Sequence, residues 1–220
     1  MKYKIVIFDL DGTLLDTLQD LAISTNFALE SCGHPKRTVE EVRRFVGNGI
    51  EKLIEKATPA DISLNERKKI LEVFKLHYAE HCEDHTSPYS GILPLLDRMI
   101  EAGISIAVVS NKIDFAVQSL CKKYFGDRFS IVIGEQNGIR RKPYPDSVLD
   151  VLSKTGVSSR EAVYIGDSEV DIETAHNANI DIISVSWGFR DKDFLSKFGA
   201  KIFADSATEL ERLLLEEQVK

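Results

Sequence analysis

Two acidic residues near the start of the chain stand where carboxylates could do chemistry. Asp9 and Asp11 follow the apolar run 5–8, which is typical of a buried strand. If the strand stays extended, residues two apart share a face, so both carboxylates lie together at its carboxyl end. Carboxylate oxygens bind hard divalent cations, and neighbouring carboxylates can divide acid and base roles. The alternative, an aspartate-rich turn, does not explain why the acids follow a wholly apolar strand.

Three further polar clusters also follow apolar strands. The carboxyl ends of parallel strands meet at one edge of a sheet, where open α/β proteins bind ligands. We therefore expect these clusters to converge on Asp9 and Asp11, although each cluster alone is a weak signal. The clusters are Ser110-Asn111, Lys142-Pro143 and Gly166-Asp167-Ser168 with Asp171.

The alternation of strands and helices predicts the fold. After residue 86, apolar runs alternate with helical segments, which indicates right-handed βαβ units. We predict an α/β fold with a doubly wound parallel sheet and a Rossmann-like core, formed by residues 1–15 and 86–220. Residues 16–85 contain helical patterns and no convincing strand, which predicts an inserted α-helical cap subdomain placed to act as a lid. The predicted strands cover residues 5–8, 104–109, 129–133, 162–165, 180–185 and 201–204.

The composition is ordinary for a globular protein. The 220 residues are 43% hydrophobic and 29% charged, which suits one domain with a subdomain or two small domains. A formal net charge of -7 argues against a nucleic-acid partner. No apolar stretch approaches the length of a membrane span, and the first apolar segment is too short for a signal peptide. With three cysteines far apart and no CxxC pair, we expect reduced thiols and a cytoplasmic protein. We also expect a monomer or a homodimer.

The order of the motifs resembles that of the haloacid dehalogenase superfamily. Asp9-Leu10-Asp11-Gly12-Thr13 matches the DxDGT motif of that family, and a Ser, a Lys and a GDxxxD motif follow at Ser110, Lys142 and 166–171. The resemblance covers nearly the whole chain, and the four motifs together are highly specific. Two segments are most similar to the phosphoglycolate phosphatase group: Gly47-Asn48-Gly49 and Lys142-Pro143-Tyr144-Pro145-Asp146.

The resemblance implies the catalytic and metal-binding residues. Asp9 is the expected nucleophile, Asp11 the acid and base that serves the leaving alcohol and then water, and Lys142 the balancing cation. The implied cofactor is Mg²⁺, which offsets the repulsion between carboxylate and phosphate. Its expected ligands are the carboxylates of Asp9 and Asp167 and the backbone carbonyl of Asp11. Asp171 either holds metal-bound water or orients Lys142, unless it is simply an acid in the first turn of a helix. Dehalogenases of this family lack the second acid, so Asp11 argues against that activity.

Four residues of the core are expected to bind the substrate. Gly12 allows close approach of the backbone, and Thr13 either touches the phosphate or caps the next helix. Ser110 and Asn111 are predicted at a strand-to-helix turn, where a hydroxyl and helix N–H groups would bind phosphate oxygens. A simple helix N-cap is the alternative for these two residues.

The inserted helices are expected to set the choice of substrate. Arg43 precedes Gly47-Asn48-Gly49 in the sequence. An arginine there would suit a substrate carboxylate, so Arg43, Gly47 and Asn48 are candidate binding residues. A basic, solvated helix face with a glycine break is the alternative. Trp187-Gly188, beyond the fifth strand, is assigned to core packing.

These features predict a Mg²⁺-dependent phosphoric monoester hydrolase. Its expected partner is a small phosphorylated metabolite, with 2-phosphoglycolate as the preferred candidate, and neither a nucleic acid nor a membrane. A phosphosugar mutase of the β-phosphoglucomutase type and a pyrophosphatase fit the same motifs. A non-enzymatic phospho-acceptor switch also uses an aspartate and Mg²⁺ on a parallel sheet, but it would not need the second acid or the helical insertion.

Overall fold

A computed structural model describes residues 2–215, and the chain divides into two compact units. Unit 1 is Met1–Leu14 together with Pro88–Lys220, and unit 2 is Leu15–Ser87. The strands, in chain order, are β1 (Ile5–Phe8), β2 (Leu15–Asp16), β3 (Ser87–Pro88), β4 (Ser105–Ile113), β5 (Ile131–Glu135), β6 (Ala162–Gly166), β7 (Asp181–Val185) and β8 (Phe203–Ala204). The helices are α1 (Leu18–Ser31), α2 (Val39–Phe45), α3 (Gly49–Ala57), α4 (Leu64–His81), α5 (Ile92–Glu101), α6 (Asp114–Phe125), α7 (Asp146–Thr155), α8 (Glu169–Asn177), α9 (Lys192–Lys197) and α10 (Ala207–Leu215).

The main sheet of unit 1 confirms the prediction of a doubly wound parallel fold. Its strands lie in the order β5-β4-β1-β6-β7-β8, and each adjacent pair is parallel. From β1 the chain builds outward first on one side, through β4 and β5, and then on the other, through β6 to β8. β1 is therefore the point at which the winding reverses, and open α/β sheets bind their ligands at such a point.

β1 is central because it is apolar at every position. Its four residues are buried, and Ile5 pairs with Ser105 on one side and with Ala162 on the other. Ile5 and Ile7 belong to the core cluster that also contains Tyr164. A parallel strand with both faces covered needs apolar side chains throughout rather than an alternating pattern, which is what the run 5–8 provides.

β4 is longer than the sequence predicts, and this changes where two site residues lie. The strand was expected to end at Val109, but its pairing with β5 continues through a register shift between Val109 and Ile113. Such a bulge lets a strand go on while it redirects side chains. Ser110 and Asn111 are therefore buried residues inside β4. The expectation that they lie at a strand-to-helix turn is wrong, because α6 begins only after Ile113.

Two short elements near the end of the described chain were also mispredicted. No element was predicted between residues 188 and 201, but α9 forms there, with the Asp191 carboxylate accepting a hydrogen bond from the Phe194 N–H at 2.8 Å. β8 covers two residues rather than the predicted 201–204. Elements this short depend on tertiary contacts, here the burial of Leu195 and Ala204, rather than on local pattern.

Unit 2 is built from α1 to α4. Thr38 and Glu41 form a reciprocal capping box at the start of α2, and Ser63 caps α4 by accepting from the Glu66 N–H. Buried Asp20 on α1 accepts hydrogen bonds from the backbone N–H groups of His85 and Thr86. The only strand residues that the structure describes here are those of β2 and Ser87 of β3, whose two-residue pairing was not predicted. Across residues 2–215, the structure contains no helix with the length and hydropathy needed to cross a membrane.

Candidate active site

The carboxyl ends of β1 and β6 place the first group of acids in unit 1. The Asp9 N–H donates to the Ile165 carbonyl at 2.9 Å, which continues the pairing of the two strands by one residue. Asp9 is 8% exposed and Asp167 is 1% exposed, so both leave the sheet into a buried environment. The structure brings Asp9, Lys142, Asp167 and Asp171 together, as expected from strands that end at one edge.

Lys142 lies at the centre of this group. Its ammonium Nζ is 3.0 Å from Asp9 Oδ1 and 2.7 Å from Asp171 Oδ1, and its side chain is 3% exposed. It also donates to the Tyr164 hydroxyl at 3.0 Å. A lysine in a loop is usually solvated, and removing one from water is costly unless anions face it. The Lys142 ammonium is therefore shared by two carboxylates from different parts of the chain.

Asp171 is held by contacts on both of its oxygens. Oδ1 bonds to Lys142, whereas Oδ2 accepts from the Ser168 hydroxyl at 2.6 Å and from the N–H groups of Ser168 and Asp167. The carboxylate thus closes the turn that begins α8. It sits against Gly166, where a Cβ atom would lie 2.6 Å from Oδ2. Of the roles considered for Asp171, these contacts fit two: Oδ1 is placed to orient Lys142, and Oδ2 acts as an acid in the first turn of α8.

Asp167 is fixed by the DxDGT segment and by the loop after β7. Its Oδ1 accepts from the Thr13 hydroxyl at 2.9 Å, and its Oδ2 accepts from the Phe189 N–H at 2.8 Å. Gly12 has φ +84°, and a Cβ there would lie 2.5 Å from Asp167 Oδ2. Glycine is therefore required both for its backbone conformation and for the close approach of this carboxylate. Thr13 does not cap α1, whose N-cap residue is Thr17, and its hydroxyl donates to Asp167. Contact between Thr13 and phosphate remains a prediction.

The segment Trp187-Gly188 belongs to the site rather than to core packing. Trp187 Nε1 donates to the Thr13 carbonyl at 3.0 Å. Any Cβ at Gly188 would collide with the Asp167 side chain and the Gly12 carbonyl. Gly188 lies three residues beyond the end of β7, which ends at the same edge of the sheet as the other strands, so this glycine was a signal available in the sequence.

Asp11 has a partner that the sequence did not single out. Lys112 Nζ lies 3.1 Å from Asp11 Oδ1 and 3.3 Å from Oδ2, and the Lys112 side chain is 5% exposed. The Asp11 side chain is 21% exposed. The bulge in β4 puts Lys112 inside the strand, so a local pattern that ends the strand at Val109 places this lysine in a solvated turn instead.

Ser110 and Asn111 hold the backbone around the site. Ser110 Oγ accepts from the Lys112 N–H at 3.3 Å, and Asn111 Nδ2 donates to the Lys142 carbonyl at 3.1 Å. Asn111 thereby links β4 to the loop that carries Lys142. Both side chains are buried beside the acids, and their binding of phosphate remains a prediction.

The cap candidates lie in unit 2. Arg43 is on α2, 3.6 Å from the Glu40 carboxylate, and Asn48 is the N-cap residue of α3. Gly47 has φ +114°, a conformation that favours glycine in the break between these helices. A role for these three residues in substrate binding remains a prediction.

Burial and mutual repulsion perturb the ionisation of the acids. Burial raises the pKa of Asp9 well above its usual value, against the opposing pull of Lys142. Burial, and then the charge of Asp171, raises the pKa of Asp167 to about 7. Burial alone would lower the pKa of Lys142, but the charges of Asp171 and Asp9 outweigh it and raise that pKa well above its usual value. The acids therefore compete for one cation in the metal-free protein.

The donor set fits a hard divalent cation. Oxygens of Asp9, Asp167 and Asp171 all lie within 4.8 Å of one another. With Asp11, four carboxylates face the two ammonium groups of Lys112 and Lys142, so full ionisation leaves two negative charges to be balanced. Carboxylate oxygens at this spacing are the chemistry that Mg²⁺ prefers.

The raised pKa of Asp167 predicts how the stability of the metal-free protein depends on pH. A carboxyl with a pKa near 7 when folded and near 4 when unfolded binds its proton more tightly in the folded state. Stability is then lost as the pH rises between these values. We expect the free energy of unfolding in EDTA to fall by a few kcal/mol from about pH 5 to about pH 7.5, measured by urea denaturation. Asp167→Asn should show a smaller fall, and an identical fall in both proteins would contradict the assignment.

Tyr164 is a buried residue whose hydroxyl serves the site. It donates to the Val109 carbonyl at 2.7 Å while it accepts from Lys142. Burial raises the pKa of Tyr164 well above its usual value, so the phenol stays a neutral donor. Tyr164→Phe should cost about 1–3 kcal/mol in urea denaturation, because the Val109 carbonyl loses its donor, and lower kcat about 3- to 10-fold. Tyr144→Phe, at an exposed tyrosine, is the matched control and should change neither quantity.

Comparison with known proteins relates this site to a family of hydrolases. The family described as haloacid dehalogenase-like hydrolases matches residues 6–185. A phosphoglycolate phosphatase from Mesorhizobium japonicum is 32% identical over 196 residues, covering 87% of this chain and 86% of that protein. An N-acetylmuramic acid 6-phosphate phosphatase from Pseudomonas aeruginosa is 30% identical over 212 residues, covering 96% and 94%. A crystal structure from Lactobacillus delbrueckii subsp. bulgaricus, provisionally assigned as a phosphoglycolate phosphatase, is 41% identical, has a TM-score of 0.94, and covers 99% of this chain and 100% of that one.

Proposed function

This chain belongs to the haloacid dehalogenase-like hydrolase family and is a phosphoric monoester hydrolase, and we propose that it cleaves 2-phosphoglycolate through an aspartyl-phosphate formed on Asp9. The observation that carries the mechanism is Lys142, which bridges Asp9 and Asp171 with contacts of 3.0 and 2.7 Å. A buried ammonium on the nucleophile fixes the direction of the carboxylate and offsets the charge of an approaching phosphate.

Asp9 attacks phosphorus with a carboxylate oxygen, and the bond from phosphorus to the leaving oxygen breaks. The Leu10 N–H and Lys142 both contact Asp9 Oδ1, at 2.7 and 3.0 Å, so the carboxyl group cannot turn freely. Asp11 gives a proton to the leaving oxygen. Once ionised, Asp11 takes a proton from the water that hydrolyses the aspartyl-phosphate. The two acids of the DxDGT motif thus have separate tasks because different lysines face them.

Mg²⁺ is the proposed cofactor. Its ligands would be the carboxylates of Asp9 and Asp167 and the backbone carbonyl of Asp11. Asp171 would not bind the ion directly but would orient Lys142. When bound, the ion supplies positive charge against the phosphate oxygens, as hard cations do in phosphoryl transfer. Thr13 and the Phe189 N–H fix Asp167 for this task.

Two relatives support a substrate that carries a carboxylate. The named substrates of the Mesorhizobium and Pseudomonas enzymes, phosphoglycolate and N-acetylmuramic acid 6-phosphate, are both phosphate esters of carboxylic acids. We choose 2-phosphoglycolate because several of the relatives with 30–33% identity are phosphoglycolate phosphatases. N-acetylmuramic acid 6-phosphate is the second candidate. We further propose that Arg43, Gly47 and Asn48 of unit 2 contribute to this choice.

A panel of phosphorylated metabolites tests the proposal. Purified protein with Mg²⁺ is given 2-phosphoglycolate, N-acetylmuramic acid 6-phosphate, pyrophosphate or β-glucose 1-phosphate, and free phosphate is measured. We expect the highest kcat/KM with 2-phosphoglycolate. Isomerised sugar phosphate instead of free phosphate would indicate a mutase, and a higher kcat/KM with another compound would replace the proposed substrate.

Removal of the metal tests the cofactor separately. We expect EDTA to lower phosphate release at least about 100-fold, and excess Mg²⁺ to restore it. Excess Ca²⁺ is the matched control, since its larger size and higher coordination number suit this compact site less well and should restore little activity. Full activity in EDTA after dialysis would contradict a Mg²⁺-dependent mechanism.

A further inference from the structure

Lys112 is a second buried lysine at the sheet edge, and it contacts Asp11, whereas Lys142 contacts Asp9. Its Nζ lies 3.1 and 3.3 Å from the two oxygens of Asp11, and 5% of its side chain is exposed. The register shift in β4 after Val109 puts Lys112 at this position. An ammonium group buried this deeply has lost most of its hydration. The free-energy cost of its burial must therefore be offset by the anions that contact it.

The two buried lysines contact acids that have different tasks in the proposed reaction. Lys142 contacts Asp9, the proposed nucleophile, and Asp171 behind it. Lys112 contacts Asp11, the acid that serves the leaving oxygen. In the proposed mechanism the ammonium of Lys112 is therefore on the side of the site from which the alcohol departs, whereas the ammonium of Lys142 is on the side of the nucleophile.

The distances allow Lys112 to reach a charge on the leaving group. Asp11 must come within about 3 Å of the leaving oxygen to give it a proton. Lys112 Nζ is 3.1 Å from Asp11, so it lies within about 6 Å of that oxygen. In 2-phosphoglycolate, the carboxylate is bonded to the carbon that bears the leaving oxygen. The two carboxylate oxygens therefore lie within about 4 Å of the leaving oxygen.

We propose that Lys112 is a specificity-determining residue that binds a carboxylate on the leaving group, and so selects phosphate esters of small hydroxy acids over esters of neutral alcohols. This inference rests on the proposed function and assigns its substrate preference to one side chain. A substrate carboxylate gives Lys112 a second anionic partner in a site of low dielectric, where charge-assisted hydrogen bonds are strong. An ester of a neutral alcohol offers Lys112 no such partner, and a site built around a charged contact discriminates strongly against an analogue that lacks it.

The test compares two substrates that differ in the carboxylate. Wild-type protein and Lys112→Gln are assayed with 2-phosphoglycolate and with 2-hydroxyethyl phosphate, which has a neutral hydroxymethyl group in its place. Glutamine removes the charge but keeps an N–H donor on a side chain that is one atom shorter than lysine. The readout is the ratio of the two kcat/KM values, because a general loss of Asp11 positioning lowers both values and cancels. We expect Lys112→Gln to lower this ratio about 10- to 100-fold.

Two control variants separate recognition from general electrostatics. Lys112→Arg keeps the charge and should hold the ratio to within about fivefold of the wild type. Lys122→Met removes the same unit of charge from an exposed lysine on α6 and should leave the ratio unchanged. The Lys122 Nζ atom lies 2.6 Å from Asp127 Oδ1, so this variant also breaks an ion pair. Lys112→Met provides a second neutral variant if Lys112→Gln does not fold, as judged by its urea unfolding curve.

The outcomes separate this inference from the proposed function. If the wild type prefers 2-phosphoglycolate but Lys112→Gln keeps the same ratio, Lys112 only positions Asp11 and the inference is wrong, whereas the proposed function stands. If the wild type shows no preference between the two esters, the proposed substrate is wrong, and the inference that Lys112 binds a substrate carboxylate is wrong as well. A ratio that collapses in Lys112→Gln and is kept in Lys112→Arg supports both.

Discussion

Asp9→Asn is expected to lower kcat for phosphate release by about four to six orders of magnitude, because the asparagine amide cannot form the covalent intermediate. The substitution keeps the shape of the side chain and its contact with the Leu10 N–H. Phosphate release is measured under substrate saturation with Mg²⁺. Mass spectrometry of acid-quenched samples should detect phosphorylated Asp9 in the wild type only.

Asp16→Asn is the matched control for this loss. It makes the same chemical change at the exposed Asp16 of β2 and should leave kcat within about twofold. Asp9→Asn should also unfold at no lower urea concentration than the wild type in EDTA, because burial already disfavours the charged form of Asp9. More than about 1% residual activity in pure Asp9→Asn would contradict nucleophilic catalysis by Asp9.

Lys142→Met has the second largest expected effect and acts on both activity and stability. It leaves Asp9 and Asp171 buried without the cation that both contact. Breaking a buried ion pair on one side costs about 3–5 kcal/mol, and we expect a loss of this size in urea denaturation at about pH 7.5. We expect kcat to fall about 10³-fold, because Asp9, the proposed nucleophile, loses its orientation and the phosphate loses a compensating charge.

Arg140→Met is the matched control for Lys142→Met. Arg140 lies two residues earlier in the same loop, and its side chain is 64% exposed while it pairs with Asp146. Removal of this cation changes the net charge equally but should alter kcat less than twofold, since exposed ion pairs contribute little. A similar loss of activity in both variants would show that the loop, rather than the ammonium of Lys142, matters for catalysis.

The fold could be predicted well wherever it follows from local pattern. The run 5–8 is apolar throughout because β1 is buried on both faces, and the alternation after residue 86 reflects a parallel sheet with helices between its strands. The end of β4 could not be predicted. Its extension to Ile113 depends on pairing with Glu135 of β5 beyond a bulge, which is a contact between segments 22 residues apart.

The site was predictable in its strand-end residues and not in the residues that support them. The topology of parallel strands brings Asp9, Lys142 and Asp167 to one edge, as the spacing of the motifs indicates. Tyr164 was hidden because a tyrosine in an apolar strand looks like core, although its hydroxyl contacts Lys142. Lys112 was hidden by the mispredicted end of β4. In both cases the contact that places the residue in the site joins segments that are distant in sequence, and a local sequence pattern does not predict such contacts.

The central position of β1 has a consequence for the synthesis of the protein. Ile5 pairs with Ser105 and Ala162, so β1 leaves the ribosome before either of the strands that it pairs with. All of unit 2, a continuous segment of Leu15–Ser87, is made in the interval and can fold first from contacts among its own residues. Asp9 is thus made before unit 2, and it is enclosed only after β6 has been made and has paired with β1. Such long-range pairing predicts slow closure of the sheet and late appearance of activity during refolding.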